Sequence, residues 1–136
     1  MIKENLKTVQ EHIKESIAKR HNAASEDVLL VAVTKNHDVA SMQEAIDAGA
    51  NVIGENRVQE ALQKHETLNR DVTWHLIGHL QTNKAKYAVK LFDMIESVDS
   101  IKLAEALNKE AQKIDKVQQV LVQVNLVKKL QKLGFI

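Results

Sequence analysis

Residues 28–37 read VLLVAVTKNH, six apolar residues in a row followed at once by polar ones. A continuous apolar run rich in valine predicts a β-strand buried on both faces, which is typical of parallel sheets covered by helices. In a doubly wound sheet, a glycine-rich phosphate turn is expected after the first strand. Here the turn is Thr34-Lys35-Asn36-His37, which contains no glycine. The stretch therefore favours a (β/α) barrel over a doubly wound sheet.

On both sides of this strand, the spacing of the apolar residues alternates between that of helices and that of strands. The predicted strands are Val28–Val33, Asn51–Gly54, Val72–Ile77, Asp93–Val98 and Gln119–Val124. The first predicted helix is Ile2–Ile17, ended by His21 and Asn22. The next three are Asp38–Gly49, Arg57–Leu68 and Thr82–Leu91. The last is capped by Asp99 or Ser100 and reaches Ile114. The face of the third helix predicted to turn inward carries Val58, Ala61, Leu62 and His65. Strands that alternate with helices predict a parallel sheet.

The predicted fold class is α/β, a partial (β/α) TIM barrel of about five parallel strands plus an N-terminal helix. A complete (β/α)₈ barrel typically needs about 250 residues, and this chain has 136. No linker, low-complexity tract or proline-rich stretch marks a second domain. We therefore expect a single barrel domain over residues 1–136, incomplete at its C-terminus. An open sheet would leave two unpaired edges, which offer a route to self-association.

The composition argues against several classes of partner. The formal net charge is +1 and 3% of the residues are aromatic, so the chain lacks the charge and the stacking platforms that nucleic acids require. The absence of cysteine excludes disulfides, thiolate catalysis and Cys-ligated zinc. No apolar run approaches the roughly 20 residues that span a bilayer, and charges interrupt the N-terminal segment, unlike a secretory signal. We expect a cytoplasmic protein that binds neither nucleic acid nor membrane.

Polar residues follow every predicted strand, and in parallel α/β folds the chemistry lies at the carboxyl ends of the strands. These residues are Lys35-Asn36-His37, Glu55-Asn56-Arg57, Gly78-His79-Leu80-Gln81, Asp99-Ser100 and Asn125. One interpretation is a rim of side chains that hold a ligand. The simpler one, on the residues alone, is a set of helix caps and solvated loops.

Lys35 stands out among these residues. At the end of an apolar strand its amine would be partly removed from water, which favours the free amine over the ammonium. A free amine forms Schiff bases with carbonyl compounds, including pyridoxal 5′-phosphate (PLP). The alternative is a lysine whose stem packs while its head reaches water. The spacing alone favours that alternative.

His75 and His79 stand four residues apart in the stretch WHLIGH. On a helix this spacing suits zinc, but here it is predicted to lie on a strand that runs into a glycine turn. With no cysteine, and no acidic residue that makes an obvious third ligand, no metal site is predicted.

Three longer segments carry a resemblance: VLLVAVTKNH, IGENRVQEA and WHLIGHLQTNK, in this order. They resemble the pyridoxal phosphate homeostasis proteins, single-domain barrels of the alanine racemase N-terminal-domain type that hold PLP as an internal aldimine. The resemblance continues through ESVDSIKLAEALN and VLVQVN. It implies that PLP is the cofactor and that Lys35 is the Schiff-base lysine. It also implies cofactor-binding positions at Asn56, Gly78 and Asn125.

The resemblance implies a role in PLP and amino-acid homeostasis rather than catalysis, with no catalytic residue. A PLP racemase needs an acid/base group on each face of the cofactor. In alanine racemases one of these is a tyrosine from a separate C-terminal domain, and the lone Tyr87 of this chain is poorly placed for that task. The alternatives are a PLP-dependent, racemase-like enzyme and a self-associating barrel fragment without a cofactor.

The chain also departs from the family. The family's barrel continues beyond the length of this chain, and its later part holds the PLP phosphate through a serine-bearing segment and an Arg-Ile-Gly type segment. Each lost charge-assisted hydrogen bond to the phosphate would cost about 1.5–3 kcal/mol. We therefore expect weak PLP binding even where Lys35 is reactive.

Overall fold

The computed structural model describes residues 1–20 and 28–127. The elements in chain order are α1 (Ile2–Lys19), β1 (Ala32–Val33), α2 (Val39–Asp47), β2 (Val52–Glu55), α3 (Val58–Thr67), β3 (Thr73–Leu76), α4 (Ala85–Leu91), β4 (Met94–Val98), α5 (Ile101–Lys113) and β5 (Gln119–Val122). One turn of 3₁₀ helix, Thr82–Lys84, leads directly into α4. The predicted alternation of strands and helices is confirmed.

The five strands form one parallel sheet in the order β1-β2-β3-β4-β5. A doubly wound sheet reverses its strand order at a switch point, whereas here each strand pairs with its neighbours in sequence, as in a barrel. Four residues stand side by side across the first four strands: Val33, Gly54, His75 and Met94. The sheet does not close, so β1 and β5 are its edges. The predicted partial barrel is confirmed.

The two faces of the sheet differ. One face packs under the helices, where the core joins strand residues with helix residues: Ile53, Trp74, Leu76 and Ile95 with Met42, Leu68, Phe92 and Leu107. The alternate strand positions form the opposite face, which we call the inner face because it would line a closed barrel. On the inner face a Cβ added at Gly54 would lie 2.9 Å from Val31 Cγ1 and 3.3 Å from Ile77 Cγ2. Glycine at this position lets these two side chains approach the strand closely.

Side-chain caps fix where two helices begin. Asp38 Oδ1 accepts a hydrogen bond of 2.8 Å from the Ser41 N–H at the start of α2. Ser100 Oγ accepts one of 3.1 Å from the Leu103 N–H at the start of α5, so Ser100 rather than Asp99 is the cap. α1 ends at Lys19, and the predicted end at His21 and Asn22 lies outside the described residues. Within the two described ranges, no helix is long and apolar enough to cross a membrane.

The first strand differs from its prediction. It spans Ala32–Val33 instead of Val28–Val33, and Val28, Leu29 and Val33 are 50%, 60% and 50% exposed. The prediction of burial on both faces is therefore wrong. The reason is that β1 lies at an edge of the sheet, where only β2 pairs with it.

Two further predictions need correction. β5 ends at Val122 instead of Val124, and all four of its residues are exposed because it forms the other edge. On α3, Val58 and Ala61 are buried as predicted, and Lys64 is buried with them. His65 is exposed and lies against the Trp74 ring with 5.3 Å between ring centroids.

Candidate functional site

Lys35 occupies a tight turn at the carboxyl end of β1. The His37 N–H donates to the Thr34 carbonyl oxygen at 3.1 Å, which closes a β-turn. Asn36, the third residue of the turn, has φ 65° while the φ of Lys35 is not positive, the pattern of a type II turn. Asparagine tolerates this left-handed conformation better than most residues. The chain thus holds Lys35 at the corner of a defined turn without needing a glycine.

The Lys35 side chain is exposed. The expectation that the end of the strand would partly remove its amine from water is therefore not met in the described residues. The physical reason is the open sheet: β1 is an edge strand, and Val33 beside the turn is itself half exposed. The amine is open to solvent and to approaching ligands.

A charged cluster formed by Glu55, Glu60 and Lys64 lies against this turn. Lys64 Nζ is 2.5 Å from Glu55 Oε1 and 2.9 Å from Glu60 Oε1. The same ammonium donates to the Thr34 carbonyl oxygen at 2.8 Å. The Asn36 N–H donates to Glu60 Oε1 at 2.8 Å, and Thr34 Oγ1 donates to Glu55 Oε2 at 3.2 Å. The backbone on each side of Lys35 is therefore hydrogen-bonded to a side chain of α3.

The burial of this cluster is unusual for charged residues. The Glu55 side chain is 0% exposed and that of Lys64 is 9% exposed. Charges survive such burial when they are paired and their remaining hydrogen-bonding groups are satisfied. Both conditions hold here, because Glu55 accepts from Lys64 and Thr34 while Lys64 reaches three oxygens.

Glu60 lies at the solvent side of the cluster, with 26% of its side chain exposed. The hydrogen bond from Lys64, together with the one from the Asn36 N–H, lowers the pKa of the Glu60 carboxyl below its ordinary value of 4.5. A carboxyl with a lowered pKa in the folded state stabilises the fold fully above its unfolded pKa. That contribution is lost as the pH falls through the lowered pKa, so the contribution of Glu60 is present at neutral pH.

Asn56 and Gly78, two predicted site residues, lie in direct contact. A Cβ added at Gly78 would lie 2.2 Å from Asn56 Oδ1 and 2.3 Å from the Asn56 carbonyl oxygen. Only glycine fits this position without a shift of the β2–α3 connection. The space that glycine leaves open is taken up by Asn56, so Gly78 seats Asn56 at the carboxyl end of β2.

Asn125, the fourth predicted site residue, is exposed and follows β5. It lies beyond the edge opposite to Lys35, four strands away along the sheet. The structure thus brings Asn56 and Gly78 together on neighbouring strands, and it does not bring Asn125 to the β1 edge.

The two histidines of WHLIGH pair with different carboxylates. His75 Nδ1 is 3.0 Å from Glu96 Oε1, and its side chain is 5% exposed. His79 Nδ1 is 3.7 Å from Asp99 Oδ2, and its side chain is 71% exposed. Neither carboxylate is near its histidine in sequence, which is why the sequence did not suggest these pairs. In the described part of the chain, no three histidine or acidic side chains form a group that could hold a metal ion.

Sequence reasoning missed the charged cluster entirely. One signal was present, because Glu60 and Lys64 are spaced i, i+4 on a predicted helix, the spacing of an ion pair. Such pairs usually lie on the solvent face, and nothing local to α3 indicates that Lys64 turns toward β2. The third member, Glu55, was grouped with the polar residues after the second strand, but it is the last, buried residue of that strand.

Comparisons with known proteins agree with this architecture. The chain matches the model of the alanine racemase N-terminal domain over residues 2–135. It is 42% identical over 110 residues to a pyridoxal phosphate homeostasis protein of Synechocystis sp., covering 79% of this chain and 50% of the relative. It is 36% identical over 130 residues to the one of Pasteurella multocida, covering 92% and 54%. The chain thus spans about half the length of the curated relatives it matches.

A solved structure provides the corresponding match in three dimensions. PipY of Synechococcus elongatus PCC7942 with PLP bound superposes with a TM-score of 0.78 and 41% sequence identity, covering 93% of this chain and 55% of PipY. PipY without PLP gives a TM-score of 0.80 and 42% identity. The resemblance to the pyridoxal phosphate homeostasis proteins is therefore confirmed. With a family match that extends over nearly its whole length, the chain belongs to the alanine racemase N-terminal domain family.

Proposed function

We propose that this chain binds PLP as an aldimine on Lys35 and serves PLP and amino-acid homeostasis rather than catalysis. The observation that carries the proposal is the match to PLP-bound PipY, at 41% identity over 93% of this chain. The names of the curated relatives support the homeostasis role. The exposed amine at the carboxyl end of β1 is where (β/α) barrels place their chemistry.

The described residues fit the aldehyde end of PLP. PLP supplies an aldehyde, and the free Lys35 amine would add to its carbon, form a C=N bond and release the aldehyde oxygen as water. The defined turn holds the amine at the end of β1, and the contact with Gly78 holds Asn56 at the end of the next strand. Asn56 would offer an amide to the bound cofactor. Asn125 would contact the cofactor only where the sheet curves enough to bring the β5 edge near Lys35.

A role without catalytic turnover agrees with the position of Tyr87. Racemisation requires a proton donor or acceptor on each face of the cofactor. Tyr87 lies on α4 and is 45% exposed, and α4 contributes Ala85, Ala88 and Val89 to the core under the helices. The phenol therefore belongs to the helix layer, on the other side of the sheet from the inner face.

Adding PLP to the protein tests the proposal directly. We expect an aldimine absorbance band in the wild type that is lost in Lys35→Ala, because the amine that forms the C=N bond is gone. Lys109→Ala, which removes an exposed lysine of α5, is the matched control and should keep the band. Borohydride reduction followed by peptide mapping would place the adduct on Lys35. Equal spectra for the wild type and Lys35→Ala would end the proposal.

A second candidate property, self-association through the open edges, is favoured by the exposure of β5. Val120, Leu121 and Val122 are 39%, 49% and 75% exposed on a strand that pairs with β4 on one side and, within the described residues, with no strand on the other. Exposed apolar edge strands template pairing with another chain, and a charge on the edge suppresses it.

Sedimentation velocity measures this property. We expect the wild type to sediment as a dimer or larger species and Val122→Lys to shift it toward the monomer. The matched control is Ile101→Lys, because Ile101 is 78% exposed on a helix instead of an edge. A wild type that is monomeric at tens of micromolar would contradict self-association.

A further inference from the structure

The Lys35 side chain takes no part in holding the turn that carries it. Within residues 1–20 and 28–127 the Lys35 side chain makes no hydrogen bond or ion pair, and it is exposed. The direction in which its Cα–Cβ bond leaves the turn is therefore set by the two peptide groups that flank it. One presents the Thr34 carbonyl oxygen and the other the Asn36 N–H.

Both peptide groups are hydrogen-bonded to charged side chains of α3. Lys64 Nζ donates to the Thr34 carbonyl oxygen and Glu60 Oε1 accepts from the Asn36 N–H, each at 2.8 Å. Glu60 and Lys64 are themselves paired at 2.9 Å. Hydrogen bonds to ionised groups are about twice as strong as neutral ones. One ion pair, Glu60 with Lys64, is therefore hydrogen-bonded to the backbone on both sides of Lys35.

The two members of this pair differ in what their loss would do. Lys64 also neutralises the fully buried Glu55, so its removal would disturb the fold itself. Glu60 is partly exposed and its removal leaves Lys64 paired with Glu55. The contacts specific to Glu60 are therefore those with the turn and with Lys64.

We propose that Glu60 is a positioning residue for Lys35: through the Asn36 N–H it fixes the turn so that the amine is presented to the aldehyde of PLP. This inference rests on the proposed function. PLP must fit the surrounding site as well as reach the amine, so its binding depends on where the turn holds Lys35. A small aldehyde such as formaldehyde has no such requirement, so its reaction with Lys35 should not depend on Glu60.

The experiment compares the wild type with Glu60→Ala, which removes the acceptor, and Glu60→Gln, which keeps an acceptor oxygen without the charge. Glu66→Ala is the matched control, because Glu66 is an exposed acid on the same helix. Three quantities are measured: hydrogen exchange of the Asn36 amide by NMR, PLP half-saturation from aldimine absorbance, and the rate of reductive methylation of Lys35 by formaldehyde with cyanoborohydride as the reductant. The Ile77 amide, which donates to the Glu55 carbonyl oxygen at 2.9 Å, is the internal reference for exchange.

In Glu60→Ala we expect Asn36 exchange to accelerate about 10-fold relative to Ile77 and PLP half-saturation to rise about 10-fold, as the loss of one charge-assisted hydrogen bond implies. Formaldehyde should methylate Lys35 at the wild-type rate. Glu60→Gln should stay within about threefold of the wild type, because a neutral acceptor retains part of the bond, and Glu66→Ala should match the wild type.

Two results would overturn the inference, and they are distinguishable. A wild type that forms an aldimine with the same half-saturation as Glu60→Ala overturns the positioning role and leaves the proposed function intact. A wild type that forms no aldimine at all overturns both.

Discussion

Lys64→Met is expected to lower the free energy of unfolding by about 3–5 kcal/mol, the cost of removing one partner from a buried ion pair. The variant leaves the Glu55 carboxylate, which is 0% exposed, with only the Thr34 hydroxyl as a donor. It also removes a donor from the Thr34 carbonyl oxygen. Because small domains are stable by only about 5–15 kcal/mol in total, much of the protein would unfold at low denaturant. Urea unfolding measures the change.

Two controls separate burial from charge. Lys113→Met breaks the pair with Glu110, in which the lysine side chain is 56% exposed, and should change stability by less than about 1 kcal/mol. Lys64→Met combined with Glu55→Leu removes both buried charges, and it should recover about 2 kcal/mol or more, since apolar replacements of buried pairs are often tolerated. A double variant less stable than Lys64→Met alone would contradict this account of the cluster.

Gly78→Ala is expected to cost about 3 kcal/mol, the upper part of the usual range for overpacking. The added methyl carbon would lie 2.2 Å and 2.3 Å from two oxygens of Asn56, well inside van der Waals contact. One of these oxygens belongs to the backbone, so the strain cannot be relieved by a side-chain rotation. Asn56 must move, and PLP binding at Lys35 should weaken together with stability. Thermal unfolding and PLP titration of the same variant test both effects.

Gly54→Ala is the matched control, because Gly54 is, like Gly78, a buried glycine, although it lies within β2. Its added carbon would meet a methyl group of Val31 at 2.9 Å, a side-chain atom that can shift, so a cost of about 1 kcal/mol is expected. Gly78→Ala combined with Asn56→Ala relieves only the contact with Oδ1 and should remain destabilised. Full recovery in this double variant would show that the backbone oxygen is not the obstacle.

The order of strands and helices could be predicted because each element carries its own pattern of apolar residues. The extent of the first strand could not. The run Val28–Val33 indicates apolar character, but pairing exists only where β2 runs alongside, from the register Ala32 with Ile53 onward. Which strand becomes an edge depends on how many others are present, and no local pattern contains that information.

The proximity of two candidate site residues could be predicted because it depends only on where strands end, whereas contacts between side chains of different elements could not. Asn56 follows β2 directly and Gly78 lies two residues after the end of β3, and parallel neighbours bring such positions together. The charged cluster joins β2 to α3 and is hydrogen-bonded to the turn after β1. The sequence shows Lys64 only as one more lysine on an amphipathic helix. His65 was placed on the inward face because it shares the helical spacing of Val58, Ala61 and Leu62. The cost of burying Lys64 is offset by Glu55, a partner from another element.

The charged cluster and the turn that it holds by hydrogen bonds are built wholly from residues 34–64. These residues run from the end of β1 to α3. The hydrogen bonds that hold the turn at Lys35 therefore use no side chain of β3, β4 or β5, and they do not require the sheet to close into a complete barrel.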